Sequence, residues 1–411
     1  MEWIDAATAA ERLGVKPATL YAYVSRGVLR RRHADDGRRS LFSAEEVERL
    51  ARRGRPRSQP PELVIESAVT ALGVDRPYYR GADALELAGR HPFETVATWL
   101  WTATPAPAPL SDPPASDART GGGDGWPWRC EEGALRAAVA AQQGLPADLL
   151  PLDRLQVITT VLGASDSLRF QLDRASVAAT GRRLIAGLVD ALPELSEPAG
   201  ESIPARLWSR LCPHPATPAL LDALRAALVL LADHELAAST LAARVAASAK
   251  ADPYAVVLTG LGVLGGPLHG GASYGAERLL REVAEPGQAA RAVAERVRRG
   301  ERVPGFGHSV YKNGDGRGTV LLDLVERAAP GHDRIAAATA LAAEMRRRRL
   351  PERNVDFALA VLTAVAGMTP GAGEAIFAVA RVAGWLAHAM EEYERGALLR
   401  LRASYTGPPI R

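Results

Sequence analysis

The chain has 411 residues, of which 47% are hydrophobic, a formal net charge of +3 and only two cysteines, Cys130 and Cys212. That length supports two or three domains around a sizeable core, and two cysteines rule out a disulfide framework and fit a reducing cytoplasm. Met1-Glu2-Trp3-Ile4-Asp5 lacks the basic and apolar regions of a secretion signal. The most apolar stretch, Leu220 to Ala247, is broken by Asp222, Arg225, Asp233, His234, Glu235 and Arg244, so it reads as a buried helix pair and not a membrane span.

Residues 1–60 hold 13 Lys and Arg against 8 Asp and Glu, and the remainder 37 against 39. All the excess positive charge therefore sits at the start, which points to a polyanion partner for that segment alone. Asp5 to Leu13 reads as a helix ended by Gly14. A second helix starts at Lys16-Pro17 and runs to Gly27. Val28 to His33 and Arg38 to Phe42, joined by Asp35-Asp36-Gly37, predict a small hairpin or wing. Ser43 and Glu46 form the pattern of a capping box for a third helix.

Residues 54–61, Gly-Arg-Pro-Arg-Ser-Gln-Pro-Pro, are a linker by composition. A hairpin is expected around Gly73 to Arg76, then a helix over Phe93 to Trp101. Residues 103–127, rich in Ala, Pro, Gly and Asp, predict a surface insertion. From about 131 onward Ala- and Leu-rich segments of helical period are separated by Pro and Gly, so the bulk is all-α.

Three of the eight histidines stand in distinctive contexts: Asp233-His234-Glu235, Gly265-Gly266-Pro267-Leu268-His269-Gly270-Gly271, and Val303-Pro304-Gly305-Phe306-Gly307-His308. Glycines beside His269 and His308 let a ligand or another backbone approach closely. None of these segments has metal-ligand spacing, so no metal site is expected.

Together these segments, Tyr311-Lys312, Asn354-Val355-Asp356-Phe357 and Arg400-x-Arg402-x-x-Tyr405-x-Gly407 resemble the citrate synthase signature set, in that family's chain order, over roughly residues 62–411. The resemblance implies a large helical domain (62–274 and 369–411) carrying a smaller one (275–368), and a homodimer in which the Arg400 region reaches the partner's site. It implies condensation of acetyl-CoA with oxaloacetate to give citrate and CoA, with no metal or redox cofactor. Asp356 would be the base, His269 the donor to the thioester oxygen, and His308 the group that polarises the 2-oxo carbonyl. Arg317, Arg381 and Arg400, with His234, would hold the dicarboxylate, and Lys312 would lie near the CoA phosphates. A close variant uses propionyl-CoA and makes 2-methylcitrate; one methylene in a pocket is worth only about 1–3 kcal/mol.

Several positions depart from the family pattern. Gly316 stands where proline is usual, so Arg317 is expected to be less well held. Ser309 stands where larger residues are common, and Ala237-Ala238 replaces a frequent Asn-Ala, losing a polar contact.

Residues 1–53 resemble the MerR-type winged helix-turn-helix through Ala9-Ala10-Glu11-Arg12-Leu13-Gly14-Val15, Thr19-Leu20-Tyr21-Ala22-Tyr23-Val24 and Arg26-Gly27-Val28-Leu29. In that motif the second helix enters the major groove and the wing reaches phosphates. Arg26, Arg30, Arg31, Arg32, Arg38 and Arg39 would make the phosphate contacts. The alternatives are an adaptor that keeps the fold without DNA, and a DNA-binding regulator that uses the synthase body as a metabolite sensor.

Overall fold

The structure is a computed structural model that describes residues 3–13, 15, 17–25, 27–34, 40–47, 64–102, 128–400 and 405–407. The linker 54–61, the insertion 103–127, Arg26, Arg38 and Arg39 lie outside the described residues. The chain divides into two compact units, residues 1–66 and 67–411.

The first unit is built on β1 (Trp3–Asp5), α1 (Ala6–Leu13), α2 (Pro17–Ser25), β2 (Arg31–His33) and β3 (Ser40–Ser43). The expected hairpin is present as β2 and β3, paired antiparallel with Arg32 opposite Leu41. The short strand β1 adds a third member on the other side of β3, with Ile4 opposite Phe42. Three residues without a turn to their partner carry no local signal, so β1 was invisible to periodicity. Asp5 ends β1 and opens α1, its Oδ1 accepting Thr8 N–H at 2.8 Å. Ile4, Ala9, Leu20, Leu29, Phe42 and Val47 form the core of this unit. Residues 44–47 are helical as expected, but the Glu46 carboxylate reaches back to Arg30, accepting its backbone N–H at 2.7 Å and its Nε at 2.5 Å.

The second unit opens with a three-stranded antiparallel meander, β4 (Thr70–Leu72), β5 (Pro77–Tyr79) and β6 (Ala82–Asp83). The remaining elements are helices: α3 (Ala84–Arg90), α4 (Phe93–Thr102), α5 (Glu132–Ala140), α6 (Pro151–Ser165), α7 (Arg174–Asp190), α8 (Ile203–Leu211), α9 (Pro218–Leu231) and α10 (Ala238–Ser248). They continue as α11 (Pro253–Leu264), α12 (Gly271–Glu282), α13 (Ala289–Arg298), α14 (Gly316–Ala328), α15 (Asp333–Arg347), α16 (Val355–Ala366) and α17 (Ala372–Arg395). Pro151, Pro218 and Pro253 sit in first turns, where the missing N–H has no intrahelical partner to lose. Asp173, Ser202, Thr217 and Asp252 cap the helices that follow them.

The centre of the unit is α17, which is apolar around most of its circumference and buried along most of its length. Small residues on its neighbours admit its bulk. A Cβ on Gly260 of α11 would stand 2.6 Å from the Trp385 ring, and one on Gly181 of α7 would stand 2.9 Å from Leu386. No helix among the described residues is long and apolar enough to cross a membrane. Position 275, the expected start of a smaller domain, lies inside α12, and the nearest break in regular structure is the turn over residues 265–270.

Candidate active site

The three distinctive histidines lie on separate turns of the second unit. His234 sits between α9 and α10 and is buried. Its turn is held from α17: Gly384 N–H donates to Ala232 O at 2.9 Å, and His388 Nε2 lies 3.2 Å from Asp233 Oδ2. Arg244 Nη1 donates to His388 Nδ1 at 2.6 Å, which leaves the His388 proton on Nε2 for Asp233. Only glycine fits at 384, since a Cβ there would come within 2.2 Å of Asp233 Oδ1. The start of α10 has no side-chain cap at Ala237, as the substitution of alanine there predicts.

His269 lies on the turn between α11 and α12. Its flanking glycines serve the backbone: a Cβ on Gly271 would stand 2.7 Å from Gly265 O, and one on Gly270 would stand 2.6 Å from Leu264 Cδ2. His269 Nε2 is 2.7 Å from Ser239 Oγ, which also accepts the Trp385 indole N–H at 3.2 Å. With the hydroxyl proton given to Nε2, a neutral His269 carries its own proton on Nδ1 and can donate it to a ligand. Burial, then the Arg381 charge, pulls its pKa down to about 4, so it is neutral near pH 7.

His308 is oriented from its other nitrogen. Nδ1 accepts Val310 N–H at 3.0 Å and Tyr311 N–H at 3.1 Å, so the neutral ring carries its proton on Nε2. Burial and Arg317 lower its pKa to about 4. Its ring stacks on Tyr311 with centroids 4.6 Å apart, and the Tyr311 hydroxyl lies 3.0 Å from His234 Nε2. His308 Nε2 and Arg317 Nη2 face each other at 3.4 Å. Both are donors in this state, so they do not satisfy each other and both remain available to an oxygen ligand.

Arg317, in the first turn of α14, is buried and gripped by Asp315, with Nε to Oδ1 at 2.9 Å and Nη2 to Oδ2 at 2.8 Å. Burial pulls its pKa down, but the Asp315 charge more than offsets this and raises it. The expectation that Gly316 leaves Arg317 poorly held is therefore wrong. Gly316 N–H donates to Asp75 O at 2.8 Å, a bond that proline cannot make. Glycine at this position ties the start of α14 to the β4–β5 hairpin.

Asp356 lies in the first turn of α16 and accepts the Ser273 hydroxyl at 2.6 Å. Burial raises its pKa to about 6 despite that hydrogen bond and the nearby Arg317 charge. Asn354 caps α16 and also donates from Nδ2 to Gly307 O at 2.9 Å, while Val355 N–H donates to Asp315 Oδ2 at 3.1 Å. The base, the His308 loop and the Arg317 pair are thus locked to one another.

Arg381, midway along α17, is almost fully buried, its Nε donating to Leu231 O at 2.8 Å and its guanidinium lying 4.7 Å from the Phe377 ring centroid. Its Nη2 is buried with no hydrogen-bond partner among the described residues. Burial lowers its pKa to about 10, still charged at neutral pH. A charged group left unsatisfied in the interior is costly, and a carboxylate would relieve it. Arg317, Arg381, His308 and His269 all act electrostatically on His234, after burial the main causes of its well-lowered pKa. Five of the expected residues therefore share one small region, and Asp356 joins them through the Arg317 and Arg381 charges that act on it.

Lys312 lies at the edge of this region and Arg400 stands apart from it. Lys312 is exposed, with Nζ 3.3 Å from His308 O. Arg400 is exposed on the segment after α17, and no hydrogen bond or ion pair joins it to this region among the described residues. Sequence reasoning missed Ser239 and Ser273 and gave no role to Tyr311 and Asp315, and these four orient the groups just described. In the first unit Arg30, Arg31 and Arg32 are exposed; Arg30 is paired with Glu46, Arg31 lies 5.8 Å from the Tyr21 ring centroid, and Arg32 lies 4.9 Å from that of Trp3.

The family model for the citrate synthase C-terminal domain matches residues 62–402, and a helix-turn-helix domain model matches residues 3–55. Citrate synthase 2 of Bacillus subtilis is 38% identical over 199 residues, 47% of this chain and about half (52%) of that protein. A 2-methylcitrate synthase 2 of Corynebacterium glutamicum is 30% identical over 281 residues, 64% of this chain and 73% of that protein. The crystal structure of a citrate synthase from Thermotoga maritima superimposes with a TM-score of 0.67 at 26% identity, covering 85% of this chain and 94% of that one.

Proposed function

The chain belongs to the citrate synthase family, and from that premise we propose that it condenses acetyl-CoA with oxaloacetate to give citrate and CoA. The observation that carries this reading is the grouping around His234: two further neutral imidazoles, His269 and His308, and two buried guanidiniums, Arg317 and Arg381. A dicarboxylate fits the guanidiniums, with Arg381 Nη2 awaiting an acceptor. Near pH 7 the Asp356 carboxylate, with a pKa of about 6, takes a proton from the carbon next to the thioester. His269 donates from Nδ1 to the enolate oxygen. The enol carbon bonds to the ketone carbon of oxaloacetate, and the new alkoxide is stabilised by His308 Nε2–H and Arg317. Water then cleaves the thioester, releasing CoA. Among the described residues nothing joins Arg400 to the site of its own chain, and the proposal places it in the site of a second copy.

The test is thiol release from acetyl-CoA in the presence of oxaloacetate, using the full chain. No release above background would reject the reading. Because relatives named 2-methylcitrate synthase match over a longer span than the Bacillus protein, the same assay with propionyl-CoA is its second arm, and a higher kcat/KM there would transfer the assignment. The helix-turn-helix unit, with Arg31 and Arg32 exposed on β2, is proposed to bind DNA.

A further inference from the structure

The N-cap of α17 is Gly371, which has no side chain to cap with. The first N–H groups of a helix lack intrahelical partners, and here the buried Glu277 of α12 accepts them from outside. Gly371 N–H donates to its Oε2 at 2.9 Å and Gly373 N–H to its Oε1 at 2.8 Å. A carboxylate is also the group that the positive end of a helix favours.

The junction is built around Gly373. A Cβ there would stand 2.9 Å from Glu277 Oε1, 3.5 Å from the Ser273 Cβ and 3.7 Å from the Leu359 Cβ. Three helices therefore meet at one glycine: α12 through Ser273 and Glu277, α16 through Leu359, and α17 itself. Ser273 and Glu277, four apart, share one face of α12, and Asp356 and Leu359, three apart, share one face of α16. A second buried carboxyl, Glu374, belongs to the same junction. Burial, then the Glu277, Asp153 and Asp356 charges, hold its pKa up at about 7. Burial raises Glu277 as well, against its two N–H bonds and then the Arg281 charge. Since the N–H pair goes to Glu277, the charge of the two belongs there.

We propose that Glu277 is a positioning residue for the condensation, fixing α12 against α17 so that Ser273 delivers its hydroxyl to Asp356. This role rests on the condensation reading above. The two N–H bonds set the height of α12 at which Ser273 Oγ reaches Asp356 Oδ1 at 2.6 Å. Displacing a reacting group by about 1 Å costs on the order of 10²-fold in rate. Arg381 lies farther along α17 and is anchored separately through Leu231 O, so the hold on the dicarboxylate does not depend on Glu277.

The test is Glu277→Gln in the full chain, alone and combined with Ser273→Ala. Glutamine keeps one acceptor and turns an NH2 group towards the other donor. Expected are a kcat lowered about ten-fold and a KM for oxaloacetate within about two-fold of the parent. Because Glu277 acts through Ser273, the substitution should add nothing in the Ser273→Ala background. Equal losses of kcat in both backgrounds would overturn the proposal. Protonation of Asp356 is read without turnover from the carboxyl infrared band that Asp356→Asn removes. Its midpoint should move to higher pH in Glu277→Gln, as in Ser273→Ala. The shift should persist with Glu374→Gln present, which removes the other group titrating nearby, while Arg317, Asp315 and Arg381, the remaining charges acting on Asp356, stay in place. Should Glu277→Gln fail to fold, Gly373→Ala crowds the same carboxylate with its charge kept and should reproduce both effects. An unmoved midpoint overturns the proposal even where thiol release occurs, whereas absent thiol release with a shifted midpoint rejects the condensation alone.

Discussion

The Ser273 hydroxyl donates to Asp356 Oδ1 across 2.6 Å, joining α12 to the first turn of α16. That bond favours the carboxylate, whereas burial favours the acid and prevails, leaving a pKa of about 6. If Asp356 is the base, the condensation rate should rise with pH through an acidic limb near 6. Removing the hydroxyl removes the stabilised carboxylate, so Ser273→Ala should move that limb to higher pH. The pH profile of kcat/KM decides it, and an unmoved limb would detach Ser273 from the base. Asp356→Asn should lower turnover by about 10²–10⁴-fold while oxaloacetate binding persists.

The same group has a stability signature. Its folded pKa lies above the ordinary value of 3.8, so between about pH 4 and 6 the folded state holds more proton than the unfolded one. Stability should therefore fall as pH rises through that window and gain nothing further from this group above it. In Asp356→Asn that part of the pH dependence should vanish, which denaturant titrations at pH 4.5 and 7 would measure.

Arg381→Ala should weaken oxaloacetate far more than acetyl-CoA. Leaving a bound carboxylate without its buried partner costs roughly 3–5 kcal/mol, an increase in KM for oxaloacetate of about a hundred-fold to a few thousand-fold. Equal increases for both substrates would make Arg381 a structural residue instead of a ligand.

Gly316→Pro should destabilise the enzyme, although proline is the residue usual in the family. It deletes the N–H that Asp75 O accepts at 2.8 Å and sets ring atoms where a Cβ would already lie 2.9 Å from that oxygen. Losing one such hydrogen bond at a half-buried site costs about 0.5–1.5 kcal/mol. A denaturation midpoint at or above the parent's would show that the hairpin yields without loss.

His269 and His308 stood out in the sequence by their glycine neighbours, whereas Asp356 was singled out only through the resemblance of Asn354-Val355-Asp356-Phe357 to the family motif. Their supports were not legible. Ser273 stands 83 residues before Asp356, Ser239 stands 30 before His269, and Tyr311 stands 77 after His234. A lone Ser or Tyr carries no local pattern, and only tertiary packing brings it to its partner. Gly316 misled for the same reason: its local freedom suggested looseness, while its bond to Asp75 comes from a distant hairpin. The helices of the second unit followed from period and caps, whereas β1 depended on pairing across the first unit.

The N-terminal unit gives the last expected outcome. Deleting residues 1–60 should leave a folded and active enzyme, because residues 1–66 form their own compact unit with their own core. If that unit binds DNA, the full chain should show a salt-dependent affinity that the truncated one lacks. Each phosphate contact adds about one unit to the slope of log affinity against log salt. Arg31→Gln and Arg32→Gln should therefore each lower the slope by about one. Arg30→Gln should act differently, since its guanidinium is bonded to Glu46; its main effect should be on the melting of the first unit. Loss of activity on deletion would make the unit an integral part of the enzyme. A full chain indifferent to DNA at low salt would leave the adaptor reading in its place.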